Sequence, residues 1–99
     1  MKPTFTVDGN QIDSFQSFID WFNLHVLRGQ HTWKGNLNAF NDILRGDFGS
    51  PQGGFILLWL NSAKSREVLG ALFDALTEIL RSHGPGGEEE EDGIEVILE

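Results

Sequence analysis

The sequence predicts an α/β fold: a three-stranded parallel sheet in the order 1-2-3, with the connecting helices mainly on one face. Two observations lead there. Three strand-like segments, Thr4–Val7, Phe55–Leu60 and Ile94–Leu98, are separated by stretches of helical periodicity. Strand–helix–strand alternation in so short a chain calls for parallel strands joined by right-handed crossovers, and crossovers that always step the same way keep the helices together. The middle segment, Phe55-Ile56-Leu57-Leu58-Trp59-Leu60, is six apolar residues without alternation. That pattern marks a strand buried on both faces, and so the central one.

The first strand, Thr4-Phe5-Thr6-Val7, alternates polar and apolar and ends at Asp8-Gly9. It has one wet face. Ser14 is a good N-cap for the next helix, where Phe15, Phe18, Ile19, Phe22 and Val26 recur at helical spacing. Trp21, Leu24 and Leu27 widen its apolar surface, and Arg28-Gly29 supplies a C-terminal cation followed by a residue free to take positive φ. Asn36 reads as the N-cap of a second helix from about Leu37 to Leu44. Gly46, Gly49, Pro51, Gly53 and Gly54 then form a loop too rich in turn residues for regular structure.

After the central strand, Leu69, Leu72, Phe73, Leu76, Ile79 and Leu80 form the stripe of a long helix. The preceding Ser62–Leu69 segment reads equally as its first turns or as a separate short helix broken near Gly70. Gly84-Pro85-Gly86-Gly87 stops the helix, and five successive carboxylates, Glu88 to Asp92, follow. Such a run repels itself, so 84–93 is expected to be a flexible, solvated acidic loop within a single domain spanning 1–99. Its functional alternative is a patch that steers a basic partner. The last strand carries acid at every fourth position, Glu95 and Glu99, as an edge strand does. In the resulting sheet Phe5, Val7, Phe55, Leu57, Trp59, Ile94, Val96 and Leu98 point to the helices. Ile56, Leu58 and Leu60 point the other way, an apolar centre that is a candidate for weak self-association of an otherwise monomeric protein.

Composition limits the function. A net charge of −8 and a pI near 4.6 argue against nucleic acid or an anionic membrane as direct ligand and favour a basic partner. The chain has no cysteine, so it has no disulfide framework and suits a reducing compartment. Its start, Met1-Lys2-Pro3-Thr4-Phe5-Thr6, lacks an apolar signal core, and the location expected is cytoplasmic. No cofactor or metal is expected. His25, His31 and His83 have no partner at metal-ligand spacing; His25 and His83 read as capping or surface residues, and His31 as a loop residue within reach of a partner. Gly53-Gly54 precedes a strand rather than a helix, so it is no phosphate loop. No catalytic constellation stands out, and the chain does not read as an enzyme.

The most informative stretch is Trp33-Lys34-Gly35-Asn36-Leu37-Asn38-Ala39-Phe40-Asn41-Asp42-Ile43-Leu44-Arg45-Gly46. Leu37, Phe40, Ile43 and Leu44 fall on one stripe of its helix, and Asn38, Asn41, Asp42 and Arg45 on the opposite one. Two amides and one carboxylate thus face outward beside a loop with a large indole, a surface suited to gripping a partner. Asp42 by itself is an ordinary exposed aspartate able to pair with Arg45 at i, i+3. Trp33 reads equally as a staple packed on Phe40 or as an interface anchor.

This stretch resembles the barstar family in its pattern of aromatic, Gly, Asn-Leu, Asp/Asn-Ala, aromatic or Leu, then Asp and Leu. The order of the other elements agrees over nearly the whole chain. The resemblance implies a two-layer barstar-like fold and a role as an intracellular inhibitor of a basic, secreted, barnase-like ribonuclease. It implies that Asp42 enters the enzyme's active site in place of a phosphate, with Asn38, Asn41, Trp33, Thr32, Gly35 and Arg45 around it. A pocket built from Arg, Lys and His to desolvate a phosphodiester would meet a fixed carboxylate with charge-assisted donors. The sequence departs from the family's best-known member at several of these positions. Asn38 stands where that member has a second aspartate, Asn41 where it has a tryptophan, and Thr32 where it has the first of two tyrosines. Late in the long helix, Arg81 lies near positions where that member is acidic. The alternative is a barstar-like binding module or an immunity protein for a different toxin.

Overall fold

The computed structural model describes residues 2–99. Strands β1 (Thr4–Asp8), β2 (Ile56–Leu60) and β3 (Glu95–Leu98) form one parallel sheet in the order β1-β2-β3. The register pairs Thr4 with Ile56 and Asp8 with Leu60 on one side, and Ile56 with Glu95 and Trp59 with Leu98 on the other. The most apolar strand is therefore central.

Side-chain alternation sets the two faces. Val7, Phe55, Leu57, Trp59 and Ile94 are buried under the helices, while Thr4 and Thr6 are exposed and Ile56, Leu58 and Leu60 are half-buried on the other face. Ile97, on that same open face, is one of the exposed large apolar side chains. Phe5, Val96 and Leu98 pack against the edges of the core.

Helix α1 (Phe15–Phe22) starts at Ser14, whose Oγ accepts the Ser17 N–H while Ser17 Oγ accepts the Ser14 N–H. This reciprocal cap satisfies two N–H groups that the helix cannot. The helix relaxes into a π-helical turn, Asn23–Leu27, and stops where Arg28 takes a left-handed conformation with φ 51° ahead of Gly29. Its inner stripe of Phe18, Ile19 and Phe22 is buried. Phe18 stacks parallel on Trp59 of the central strand at a centroid distance of 5.0 Å, and Trp59 meets Phe73 edge-on at 4.9 Å. The one polar atom of the Trp59 ring is satisfied where Nε1 donates to Ser65 Oγ at 2.8 Å. Burying each such ring contributes roughly 1.5–3 kcal/mol, so this aromatic column ties sheet to helices.

The ambiguity around Gly70 resolves into two helices, α3 (Ser62–Leu69) and α4 (Ala71–Ser82). Gly70 sits between them at φ 59°, ψ −130°, a backbone conformation open essentially to glycine alone. Beyond α4 the chain folds back, and the Ile94 N–H bonds the His83 carbonyl to start β3. The acidic run departs from its expected form. Glu90–Asp92 make a 3-10 turn, and Glu89 and Asp92 are half-buried, while Glu88, Glu90 and Glu91 stay exposed. Two of the five carboxylates are drawn inward because a cation and an imidazole lie beneath them.

Candidate functional site

Helix α2 (Leu37–Asp42) is held from its start. Asn36 is in an extended conformation, its Oδ1 accepts the Ala39 N–H at 3.0 Å, and its carbonyl accepts the indole N–H of Trp33 at 2.9 Å. Trp33 is only 1% exposed. It stacks on Phe40 at 4.5 Å and meets Phe15, Phe18 and Phe22 edge-on. Of the two readings of this residue, the staple is what the structure shows. The indole is enclosed by four phenyl rings.

Asn23, which the sequence reading passed over, fixes the same loop. Its amide donates to the Trp33 carbonyl and accepts the Trp33 N–H, both at 2.8 Å. The available signal was a lone amide on an otherwise apolar helix face, since such a residue needs backbone partners when it is partly buried.

The outer stripe divides in two. Asn38, Asp42 and Arg45 are exposed, as is Thr32 in the preceding loop. Gly35 is half-buried, with φ 103°, against Phe15 and Ile19. Asn41 is half-buried and turned sideways toward α4. Arg45 follows α2 in a π-helical turn, Ile43–Asp47, and bridges two elements. Its Nη1 lies 2.5 Å from Asp42 Oδ1 and its Nε donates to Glu89 Oε1 at 2.9 Å. The hydrogen bond to Glu89, and behind it the charges of Glu89, Asp42 and Asp92, raise the guanidinium pKa above its ordinary value. The expected i, i+3 pair is thus present, and the acidic turn shares its cation.

His83 overturns the surface reading. It occupies the C-cap position of α4, but its ring is fully buried. Nδ1 lies 2.7 Å from Asp92 Oδ2 and 3.2 Å from Glu89 Oε2, and Nε2 lies 2.5 Å from Asn41 Oδ1. The physical cause is the fold-back at Gly84-Pro85-Gly86-Gly87, which lays the acidic turn over the helix end. The sequence signal was a histidine set before a Gly-Pro reversal that leads into acid. His83, Glu89 and Asp92 also bring three metal-binding atoms within 4.8 Å of one another. Two ligands on ~2.1 Å bonds in a tetrahedron sit roughly 3.4 Å apart, so the 2.7 Å contact is the spacing of a shared proton rather than of an ion.

The other two histidines lie elsewhere. His31 packs on the exposed Phe48 at 4.8 Å, and His25 lies against Trp21 at 5.5 Å. Among the described residues, no helix is long and apolar enough to cross a membrane.

The site is therefore an exposed helix face, Asn38, Asp42 and Arg45, over an aromatic base, on an α/β protein with a three-stranded parallel sheet. A model of the family described as Barstar (barnase inhibitor) matches residues 2–99, and the chain belongs to that family. A comparison with curated proteins finds no match. Membership carries with it a family character of inhibition rather than catalysis.

Proposed function

We propose that this protein binds a basic, secreted, barnase-like ribonuclease inside the cell that makes it and blocks the enzyme's active site. Asp42 acts as the phosphate mimic. The observation that carries the reading is the position of that carboxylate: exposed, one helical turn from exposed Asn38, on a helix whose other side is locked into the core by Trp33 and Phe40. A fixed carboxylate loses little freedom on binding, and a ribonuclease pocket supplies donors already in place. Arg45, Asn41, Thr32 and Gly35 border it and shape the contact. Trp33 contributes from within. The protein acts as a monomer, and the apolar centre of the open sheet face gives at most weak self-association.

The test is inhibition of a secreted, basic, barnase-like ribonuclease. Asp42→Ala should weaken inhibition by at least ~2 kcal/mol, about 30-fold, while leaving thermal stability nearly unchanged. Asn38→Asp should strengthen binding to an enzyme with a cation opposite that position. Inhibition by Asp42→Ala equal to wild type would overturn the phosphate-mimic mechanism.

A second reading has one observation in its favour. Asp42 is already paired with Arg45, and the neighbouring position is the neutral Asn38, so the face carries less free anionic charge than a two-aspartate helix. A binding module or immunity protein for a toxin other than a ribonuclease fits that charge. It takes first place if no barnase-like ribonuclease is inhibited.

A further inference from the structure

Strand β1 is an edge of the sheet, paired with β2 alone. The Pro3 carbonyl accepts the Ile56 N–H, and in a parallel ladder alternate residues face the neighbouring strand. Phe5 and Val7 therefore spend their backbone groups on β2, while Thr4 and Thr6 turn N–H and C=O to the open side. Among the described residues, no backbone bond from elsewhere in the chain engages Thr4 or Thr6. The opposite edge is tied down at both ends. The Ile94 N–H bonds the His83 carbonyl just before β3, and the Glu99 carbonyl just after it accepts the Ser62 N–H.

Two concavities follow the β1 edge on the helix side of the sheet. One, of about 530 Å³, is walled by Pro3, Phe5, Val26, Leu27 and Pro51, and Arg28 is the charged residue that lines it. The next, of about 440 Å³, is lined by Val7, Trp21 and Leu24 and by Asp8 and Asp20. Asp8 Oδ1 accepts from Asn10 and Asn61, and Asp20 Oδ1 from Gln16. Among the described residues neither carboxylate meets a cation, whereas Asp42, Asp74, Glu89 and Glu95 are all paired with Arg or Lys. Leu24, 70% exposed, is the most exposed of the large apolar side chains.

A strand added at this edge sends alternate side chains to the helix side, roughly 7 Å apart. The one opposite Phe5 enters the apolar concavity. The one opposite Val7 enters the acidic concavity, its stem along Leu24 and Trp21. Charge fixes which is which, because Arg28 repels a cation from the first while Asp8 and Asp20 attract one to the second.

We propose that the β1 edge docks an extended segment of a partner protein as a fourth, antiparallel strand, with a lysine or arginine opposite Val7 and an apolar residue opposite Phe5. Antiparallel pairing is the more stable arrangement, and it makes the segment read basic–any–apolar from its N-terminus. Main-chain bonds to Thr4 and Thr6 supply affinity, and the two concavities supply selectivity. The net charge of −8 disfavours a second copy of this chain in the same place. None of these residues lies on α2, so the site is independent of the ribonuclease reading.

The experiment titrates a short synthetic peptide, lysine–threonine–valine flanked by threonines, into the full-length chain labelled with nitrogen-15. The expected result is that the Thr4 and Thr6 amides shift and gain protection from hydrogen exchange, while the Asn38 and Asp42 amides stay as they are. Asp20→Asn, whose side-chain oxygen still accepts from Gln16, should weaken binding about fivefold, the scale of one exposed ion pair. N-methylation of the peptide opposite Thr4 and Thr6 should abolish binding. No binding at millimolar peptide, equal affinity for the N-methylated peptide, equal affinity of Asp20→Asn, or protection that appears elsewhere would each overturn the proposal. Protection of Thr4 and Thr6 that rises with the concentration of the chain alone, with a matching mass increase in sedimentation, would give the edge to a second copy and overturn it too. Failure of the ribonuclease reading is distinct: Asp42→Ala would inhibit like wild type while the peptide still bound β1.

Discussion

The indole of Trp33 lies stacked on the phenyl ring of Phe40, centroids 4.5 Å apart, and its N–H donates to the carbonyl of Asn36. One side chain thus fills the core and ties the loop to the residue that caps α2. The outward face of that helix depends on what lies beneath it.

Trp33→Ala should therefore act through stability. Removing a fully buried indole leaves a cavity among the four phenyl rings, at a cost of about 3–5 kcal/mol; the Asn36 carbonyl keeps its bond from the Phe40 N–H. Urea unfolding followed by the fluorescence of the remaining Trp21 and Trp59 would measure it. Trp33→Phe should cost less, because the stack survives. A stable Trp33→Ala protein with lost inhibition would instead mean that the indole contacts the partner.

Gly84→Ala should be disruptive although no unusual φ is required there. A Cβ at this position would collide with the carbonyl oxygen of Ile94, where the chain crosses itself before β3. Either β3 leaves its register or the helix end moves, and His83 loses its acidic cover in both cases. The expected outcomes are a lower melting temperature and rapid hydrogen exchange at the Ile94 and Glu95 amides. Both amides donate to protein carbonyls, of His83 and Phe55. Unchanged protection at these two amides would count against this account.

Asp8 gives the pH dependence its sign. Its carboxylate accepts the Asn10 N–H and then the Asn61 amide, and these bonds lower its pKa below the ordinary 3.8. A carboxylate with a depressed folded pKa adds stability that is complete above its unfolded value and is lost as pH falls through the folded one. Asp8→Asn should thus be less stable than wild type at neutral pH. The gap should close only below pH 3.8, as both proteins are taken to about pH 2. Denaturant midpoints across that range would show it.

The acidic turn divides by exposure. Replacing Glu88, Glu90 and Glu91 together with glutamine should lower the association rate with a basic partner and leave the dissociation rate nearly unchanged. The effect should fade as salt shortens the screening length to roughly 10 Å at 0.1 M. Glu89→Gln should behave differently, because it removes the negative charge that Arg45 shares with Asp42 and that faces His83. Stopped-flow association at two salt concentrations separates the two classes.

The sheet was legible because its signals are local. A six-residue apolar run, an alternating first strand and an acid-dotted last strand each state their own exposure, and parallel topology follows from chirality. The caps at Ser14 and Asn36 were legible for the same reason, since the bond partners lie within three residues. Helical periodicity placed Asp42 on an outer helix face, where it lies.

Long-range polar pairing is another matter. His83 and Asn41 are 42 positions apart, and Arg45 and Glu89 are 44. Nothing in either neighbourhood specifies the other, because a histidine at a helix end and a glutamate in an acidic run are each satisfied by water until the fold removes it. Trp33 is similar: an aromatic before a helix start suits a staple or an anchor, and only the convergence of four phenyl rings decides. The sequence by itself determined the strands, their order and the polarity of the helix faces, because hydrophobic periodicity is written residue by residue. Tertiary structure alone decided which polar groups meet, because a buried donor or acceptor must take whatever partner the close approach of distant segments brings within about 3 Å.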